Sequence, residues 1–181
     1  MNTMIIIATT LLVAYTLILC VVNKHIPDSL SQSVFFLPPS ASWLWTFIIG
    51  FFAFAIMPSI IDKTPENWQW LAFISCAGLM AVAFAPLLPA KETLTQDGDK
   101  VIDKSDLGYK VHMLGAFTAA IGSQVLMLVC QRQILLCWIP YVGYFVYYYS
   151  QYFFKLMVPW RTKVFWAEMT CFLTPVIYVS I

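Results

Sequence analysis

The chain has 181 residues, 61% of them hydrophobic and only 10% charged, with a mean hydropathy of +0.79. Soluble domains carry about 25% charged residues, so this composition excludes an ordinary water-soluble globule. A formal net charge of +1 excludes the basic surface that nucleic-acid binding requires.

A bilayer-spanning helix takes about 20 predominantly apolar residues. Six stretches meet that requirement: Met4–Val22, Ser42–Ile61, Trp68–Leu88, Val111–Cys130, Ile134–Tyr152 and Lys163–Ile181. The expected fold is therefore all-α, a polytopic six-transmembrane-helix bundle forming one domain over residues 1–181. All seven tryptophans fall near proposed span ends, as expected of amphipathic rings at headgroup level.

The first stretch begins Met-Asn-Thr-Met, without the positive n-region of a signal peptide. Cys20 follows Leu19 rather than a small residue, so a lipoprotein cleavage site fits poorly, and the stretch reads as a retained span. The five cysteines are odd in number, form no CxxC pair and read as small buried apolar residues. Pro38 and Pro39 precede the second span, Pro58 lies in its last turns, and Pro86 and Pro89 close the third.

Small residues recur every fourth position as Ala77, Ala81 and Ala85 in the third span and as Gly115, Ala119 and Ser123 in the fourth. Such ridges let backbones approach closely in lipid, so these two spans read as packed partners or central helices. Between them, Thr95–Asp106 partly matches a calcium loop. Thr95, Lys100 and Asp106 occupy positions that need an acid, a glycine and a glutamate, so Asp97-Gly98 reads better as a hairpin turn. Pro140 sits in the first turns of the fifth span, and Pro175 lies well inside the sixth, where a kink is expected.

Loops after spans one, three and five hold eight Lys/Arg residues, against two in the loops after spans two and four. The positive-inside rule then places the odd loops in the cytoplasm. In either orientation those three loops share one membrane face with the starts of spans two, four and six.

Ionisable residues gather at that face. Glu168 is the most informative, because a carboxylate about a turn and a half inside an apolar span costs about 2.5–3.5 kcal/mol at mid-bilayer and less near the interface. It should face the bundle interior with a partner, His112 first and Arg161 second. Ser29, Ser31 and Tyr109 lie at the same face; Gln124 lies deeper in span four, where it either lines the same pocket or hydrogen-bonds a neighbouring helix. Tyr141, Tyr144, Tyr148 and Tyr152 form a stripe on span five that either lines a cavity or packs and anchors. The functional reading is a pocket at this face that binds a lipid headgroup or small amphiphile; the plainer one is a polar clamp between spans four and six.

No catalytic residue, metal or cofactor is assigned. There is no HExxH, nucleophile elbow or phosphate loop, and two histidines are too few for a three-His zinc site. Two other classes remain open. A lipid-modifying hydrolase would use Ser29 or Ser31 as nucleophile and His112 as base. An oligomeric channel or transporter would take one helix face from each copy of a homo-oligomer.

Ile26-Pro-Asp-Ser-Leu-Ser31 followed by Leu37-Pro-Pro-Ser40 resembles the first-loop pattern of the DRAM-type (damage-regulated autophagy modulator) six-span family. Trp70–Leu79, Ala85-Pro86, Val111–Ala116 and Phe165–Glu168 are similar to its small bacterial relatives, especially those of Bacteroidetes. The resemblance implies a six-helix bundle in a bacterial inner membrane and a connection with membrane lipid. It points to Ser29, Ser31, His112 and Glu168, and it implies a non-cytoplasmic first loop.

Overall fold

The structure is a computed structural model that describes residues 2–31, 41, 43–88, 92–94, 100–102, 106–153 and 161–181. It is helical apart from one short hairpin. The helices are α1 (Thr3–Asn23), α2 (Trp43–Lys63), α3 (Gln69–Phe84), α4 (Leu107–Gln131), α5 (Ile139–Phe153) and α6 (Lys163–Ser180). Strands β1 (Glu92–Leu94) and β2 (Lys100–Ile102) pair antiparallel, with Thr93 opposite Val101. That is the hairpin expected in the third loop; its Asp97-Gly98 turn lies outside the described residues.

Among the described residues, four helical stretches are long and apolar enough to cross a membrane: Thr3–Val22, Trp43–Lys63, Glu66–Leu87 and the 45-residue Leu107–Gln151. The last holds both α4 and α5, joined by a 3-10 stretch over Arg132–Trp138. The fifth span was expected from Ile134, but the α-helix starts at Ile139. Pro140, lacking an N–H, fits only a first turn and so sets the start there. Pro86 likewise converts the end of the third stretch into a 3-10 turn over Ala85–Leu87. The fourth helix begins four residues before its expected start at Val111, which takes Tyr109 into α4 and leaves Asp106 as its N-cap.

Many large apolar side chains point outward, among them Leu17, Val21, Phe54, Leu114 and Ile121. Water would penalise such a surface, whereas hydrocarbon accepts it. On α1 the inward stripe is Ile5, Ala8, Leu12, Tyr15 and Leu19, a three-four spacing that seats on α2. Tyr15 meets Trp45 there, with ring centroids 6.1 Å apart.

α2, α3, α4 and α6 form a ring in which each helix packs against the next, α6 closing on α2. α1 braces α2 from outside, and α5 lies against α6 through a small contact. The α3–α4 seam is the tightest. A Cβ on Gly78 would stand 2.7 Å from the Ala119 amide nitrogen, and one on Gly115 would stand 2.7 Å from the Gly78 carbonyl oxygen. Gly108, Gly115 and Gly122 fall seven residues apart on α4, facing Ala85, Gly78 and Ser75 in antiparallel order. The two helices are thus the packed partners that their small residues predicted. The face differs in detail: Ala77 is exposed, and Ser75, Gly78, Ala81 and Val82 make the seam.

Candidate functional site

The ring encloses a cavity of about 640 Å³, within the 300–1,000 Å³ of typical small-molecule sites. Its wall runs from Trp45 to Ile60 on α2 and from Gly108 to Ser123 on α4. At 1.5 Å per residue these stretches are each about 22 Å long, so the space is a shaft along the helices. One end, where the first loop and the starts of α4 and α6 meet, carries Asp28, Ser29, Ser31, Asp106, Tyr109, His112, Arg161 and Glu168. Below them the wall is nearly all apolar or small, with Phe52, Ile56, Leu79, Ala116, Ala120 and Phe172.

The first loop reaches this end by a defined path. α1 stops at Lys24, whose left-handed backbone (φ 57) turns the chain and places its N–H on the Val21 carbonyl. The loop then crosses the start of α6. The Asp28 carbonyl accepts the Phe165 N–H at 3.1 Å, satisfying one of the amides that a helix start leaves without an internal partner. Pro27 and Leu30 are buried and pin the loop from below.

Beyond that contact, the Glu168 carboxylate gathers the loop onto itself. Leu30 N–H donates to Oε2 at 2.6 Å, the Ser31 hydroxyl to Oε1 at 2.8 Å, and the Ser29 hydroxyl lies 2.9 Å from both oxygens. The two serine oxygens are 2.7 Å apart. Hydrogen bonds to an ionised group are worth roughly 1.5–3 kcal/mol each, which offsets the cost of holding a carboxylate at this depth.

Glu168 thus faces the interior with partners, as expected, but the partners differ from those expected. Its bonds go to the first loop, and neither His112 nor Arg161 makes them; both line the cavity mouth beside it. A loop backbone N–H and two hydroxyls leave a carboxylate fewer open acceptor sites than one cation would, so no ion pair is needed. The Ser29 and Ser31 hydroxyls are engaged with Glu168 and each other rather than with His112.

Of the eight residues singled out in the sequence, Glu168, His112, Ser29, Ser31, Tyr109 and Arg161 line this cavity. Gln124 and Tyr148 do not. The Gln124 side chain turns to structural use: Trp138 Nε1–H donates to its Oε1 at 2.8 Å, and its Nε2–H donates to Thr174 Oγ1 at 2.9 Å. The Thr174 hydroxyl lies 3.4 Å from the Cys171 carbonyl, the group that Pro175 leaves without its helical N–H. This relay joins α4, the 3-10 stretch and α6. Tyr148 is buried away from the cavity in a ladder of rings on α5, its centroid 6.3 Å from that of Tyr144. Lys163 Nζ donates to Tyr149 Oη at 2.9 Å and ties the ladder to α6. Tyr141, Tyr144 and Tyr148 therefore contact neighbouring rings rather than line this cavity; the side chain of Tyr152 lies outside what is described.

Beyond the far end of the shaft, α2 and α6 are tied to each other. Tyr178 Oη–H donates to the Lys63 carbonyl at 3.0 Å, and Lys63 Nζ donates to the Tyr178 carbonyl at 3.4 Å.

Sequence reasoning placed Asp28 at this face with Ser29 and Ser31, and missed Asp106 as a member of the mouth. The pattern was available for Asp106: it precedes the α4 start, and Tyr109, His112, Met113, Ala116 and Ala120 follow it at three- and four-residue steps on one helix face.

Comparison of the chain with family models, with curated proteins and with solved structures gives no match. The reading of the site accordingly rests on its own geometry and chemistry.

Proposed function

We propose that the protein is a six-span integral membrane protein, akin to the DRAM-type family and its bacterial relatives, that holds a membrane lipid or other amphiphile in the central shaft. The observation that carries this reading is the segregation of the cavity wall, a shaft about 22 Å long with polar groups gathered at one end and a mostly apolar wall over the rest. Such a wall matches a molecule with a polar head and a hydrocarbon tail, and it matches neither a fully polar solute nor water. The first loop serves as the lid, fastened by Glu168. α6 is the sixth span: its 18 residues are more polar than the four apolar stretches, and two of its polar groups, Glu168 and Thr174, meet partners from the first loop and α4.

Ala120 lies on the apolar part of the shaft wall, towards its far end, so Ala120→Phe tests the proposal by filling it. Native protein extracted in mild detergent should retain copurifying lipid at near one molecule per chain in native mass spectrometry. The Ala120→Phe variant should lose most of it while remaining folded. Equal lipid retention in both would remove the shaft as the binding site.

A further inference from the structure

Among the described residues at the mouth, Asp106 has a buried side-chain oxygen without a hydrogen-bond partner. It is the N-cap of α4 with an extended backbone (φ −67, ψ 145), where an aspartate ordinarily accepts an N–H of the first turn. Here the side chain makes no such bond, and its backbone carbonyl alone accepts the Lys110 N–H at 3.1 Å. The residue is only 9% exposed, lines the cavity, and its Oδ2 is buried without a hydrogen-bond partner. A buried carboxylate oxygen without a donor is costly. The neighbouring acid shows how the fold treats a carboxylate that it means to satisfy, since Glu168 receives an N–H and two hydroxyls. Among the described residues nothing does this for Asp106 Oδ2.

The charge around it indicates which donor is missing. Among the described residues, three carboxylates line the mouth, those of Asp28, Asp106 and Glu168, against the guanidinium of Arg161 and the imidazole of His112. Lys163, the nearest lysine along α6, is engaged with Tyr149. An anionic head would meet this surplus of negative charge. A cationic head would be drawn to it, would supply several N–H donors, and would find the Tyr109 ring one turn from Asp106 on the same face.

We propose that the occupant of the shaft is a single-tailed amphiphile with a primary ammonium head, bound through hydrogen bonds to the Asp106 carboxylate. This rests on the lipid-binding reading above and narrows it to a class of head group.

Three probes with the same saturated tail separate the two claims: hexadecylamine, hexadecanol and palmitate. Each is titrated near neutral pH into delipidated full-length protein in neutral detergent, with native mass spectrometry counting specific adducts. Ala120→Phe serves as the blocked control. The expected order is amine first, at least tenfold tighter than the alcohol, with palmitate weakest. Asp106→Asn should bring the amine to within about threefold of the alcohol and leave alcohol binding unchanged. If all three bind the native chain alike, or palmitate binds best, the ammonium assignment fails while the shaft stands. If none binds the native chain better than the Ala120→Phe variant, the shaft reading fails and the assignment falls with it. The head-group series on native protein decides the matter even if Asp106→Asn does not fold.

Discussion

Two faces of α4 do opposite things. The face of Gly108, Gly115 and Gly122 closes on α3 until backbone meets backbone, whereas the face of His112, Ala116 and Ala120 stands back from α6 across an open shaft. Both faces are built largely from small residues. The difference lies in what opposes them. α3 offers Gly78, Ala81 and Ser75, which let the helices sink together. α6 is fixed at both ends by polar bonds, to the first loop at Glu168 and to α2 at Tyr178, with the Gln124–Thr174 bond between. A small-residue stripe in a membrane helix therefore does not by itself specify contact. It specifies contact where the partner is free to approach, and a cavity where the partner is held.

Breaking the closed face should have the largest effect. Gly115→Leu places a Cβ 2.7 Å from the Gly78 carbonyl and 2.9 Å from the Ala81 Cβ, neither of which is a flexible side-chain end. Overpacking a core costs typically about 1–3 kcal/mol, and backbone against backbone cannot relax by a rotamer change, so more is expected here. Size-exclusion chromatography in detergent should show aggregated or absent protein. A native-like peak would mean that the α3–α4 seam is looser than described.

Releasing the held face comes next. Glu168→Ala leaves the Leu30 N–H and two serine hydroxyls without their acceptor, at about 1–3 kcal/mol per stranded group. Thermal unfolding in bicelles should show a loss of about 3 kcal/mol or more. Glu168→Gln keeps one carbonyl oxygen for the Leu30 N–H and lets the hydroxyls turn to accept, so it should lose less than half as much. Equal losses for the two would show that charge, not hydrogen-bond geometry, fastens the loop.

The sequence made some of this legible and hid the rest for one physical reason. In water, burial separates apolar from polar residues and leaves a helical period to read; in lipid both faces of a helix are apolar. The inward stripe of α1 and the glycine heptad of α4 are evident in the structure but drowned in the sequence, where Ala77 looked as good a packing residue as Gly78. Polar residues behave oppositely. Because hydrocarbon rejects them, Glu168, His112, Ser29 and Ser31 stood out and converge on one cavity. Their pairing was not legible, since the decisive donor to Glu168 is a backbone N–H, which carries no residue signature. Gln124 stood out for the same reason, yet it answers an internal need, ultimately through Thr174 near the carbonyl that Pro175 leaves open.

That relay gives a smaller effect. Gln124→Leu removes the acceptor of Trp138 Nε1–H and the donor to Thr174. The expected loss is about 1–3 kcal/mol, read as a lower unfolding midpoint in bicelles with lipid retention unchanged, because Gln124 does not line the shaft. A loss of bound lipid with stability intact would instead move Gln124 into the site.

The smallest effect on stability is expected five residues along the helix from Gly115, and it is the sharpest test of the two faces. Ala120→Phe adds a ring at a position that borders about 640 Å³ of open space, so no backbone need shift to admit it. Filling a cavity restores contacts that its lining lacks, and the unfolding midpoint in delipidated bicelles should stay within about 1 kcal/mol of native or rise. Gly115→Leu and Ala120→Phe are both small-to-large changes on one helix, and composition alone would rank them together. If they differ as described, the spacing between α4 and α6 is set by the polar ties on α6. If Ala120→Phe instead aggregates like Gly115→Leu, α4 and α6 close on each other, and the shaft between them does not exist in the membrane.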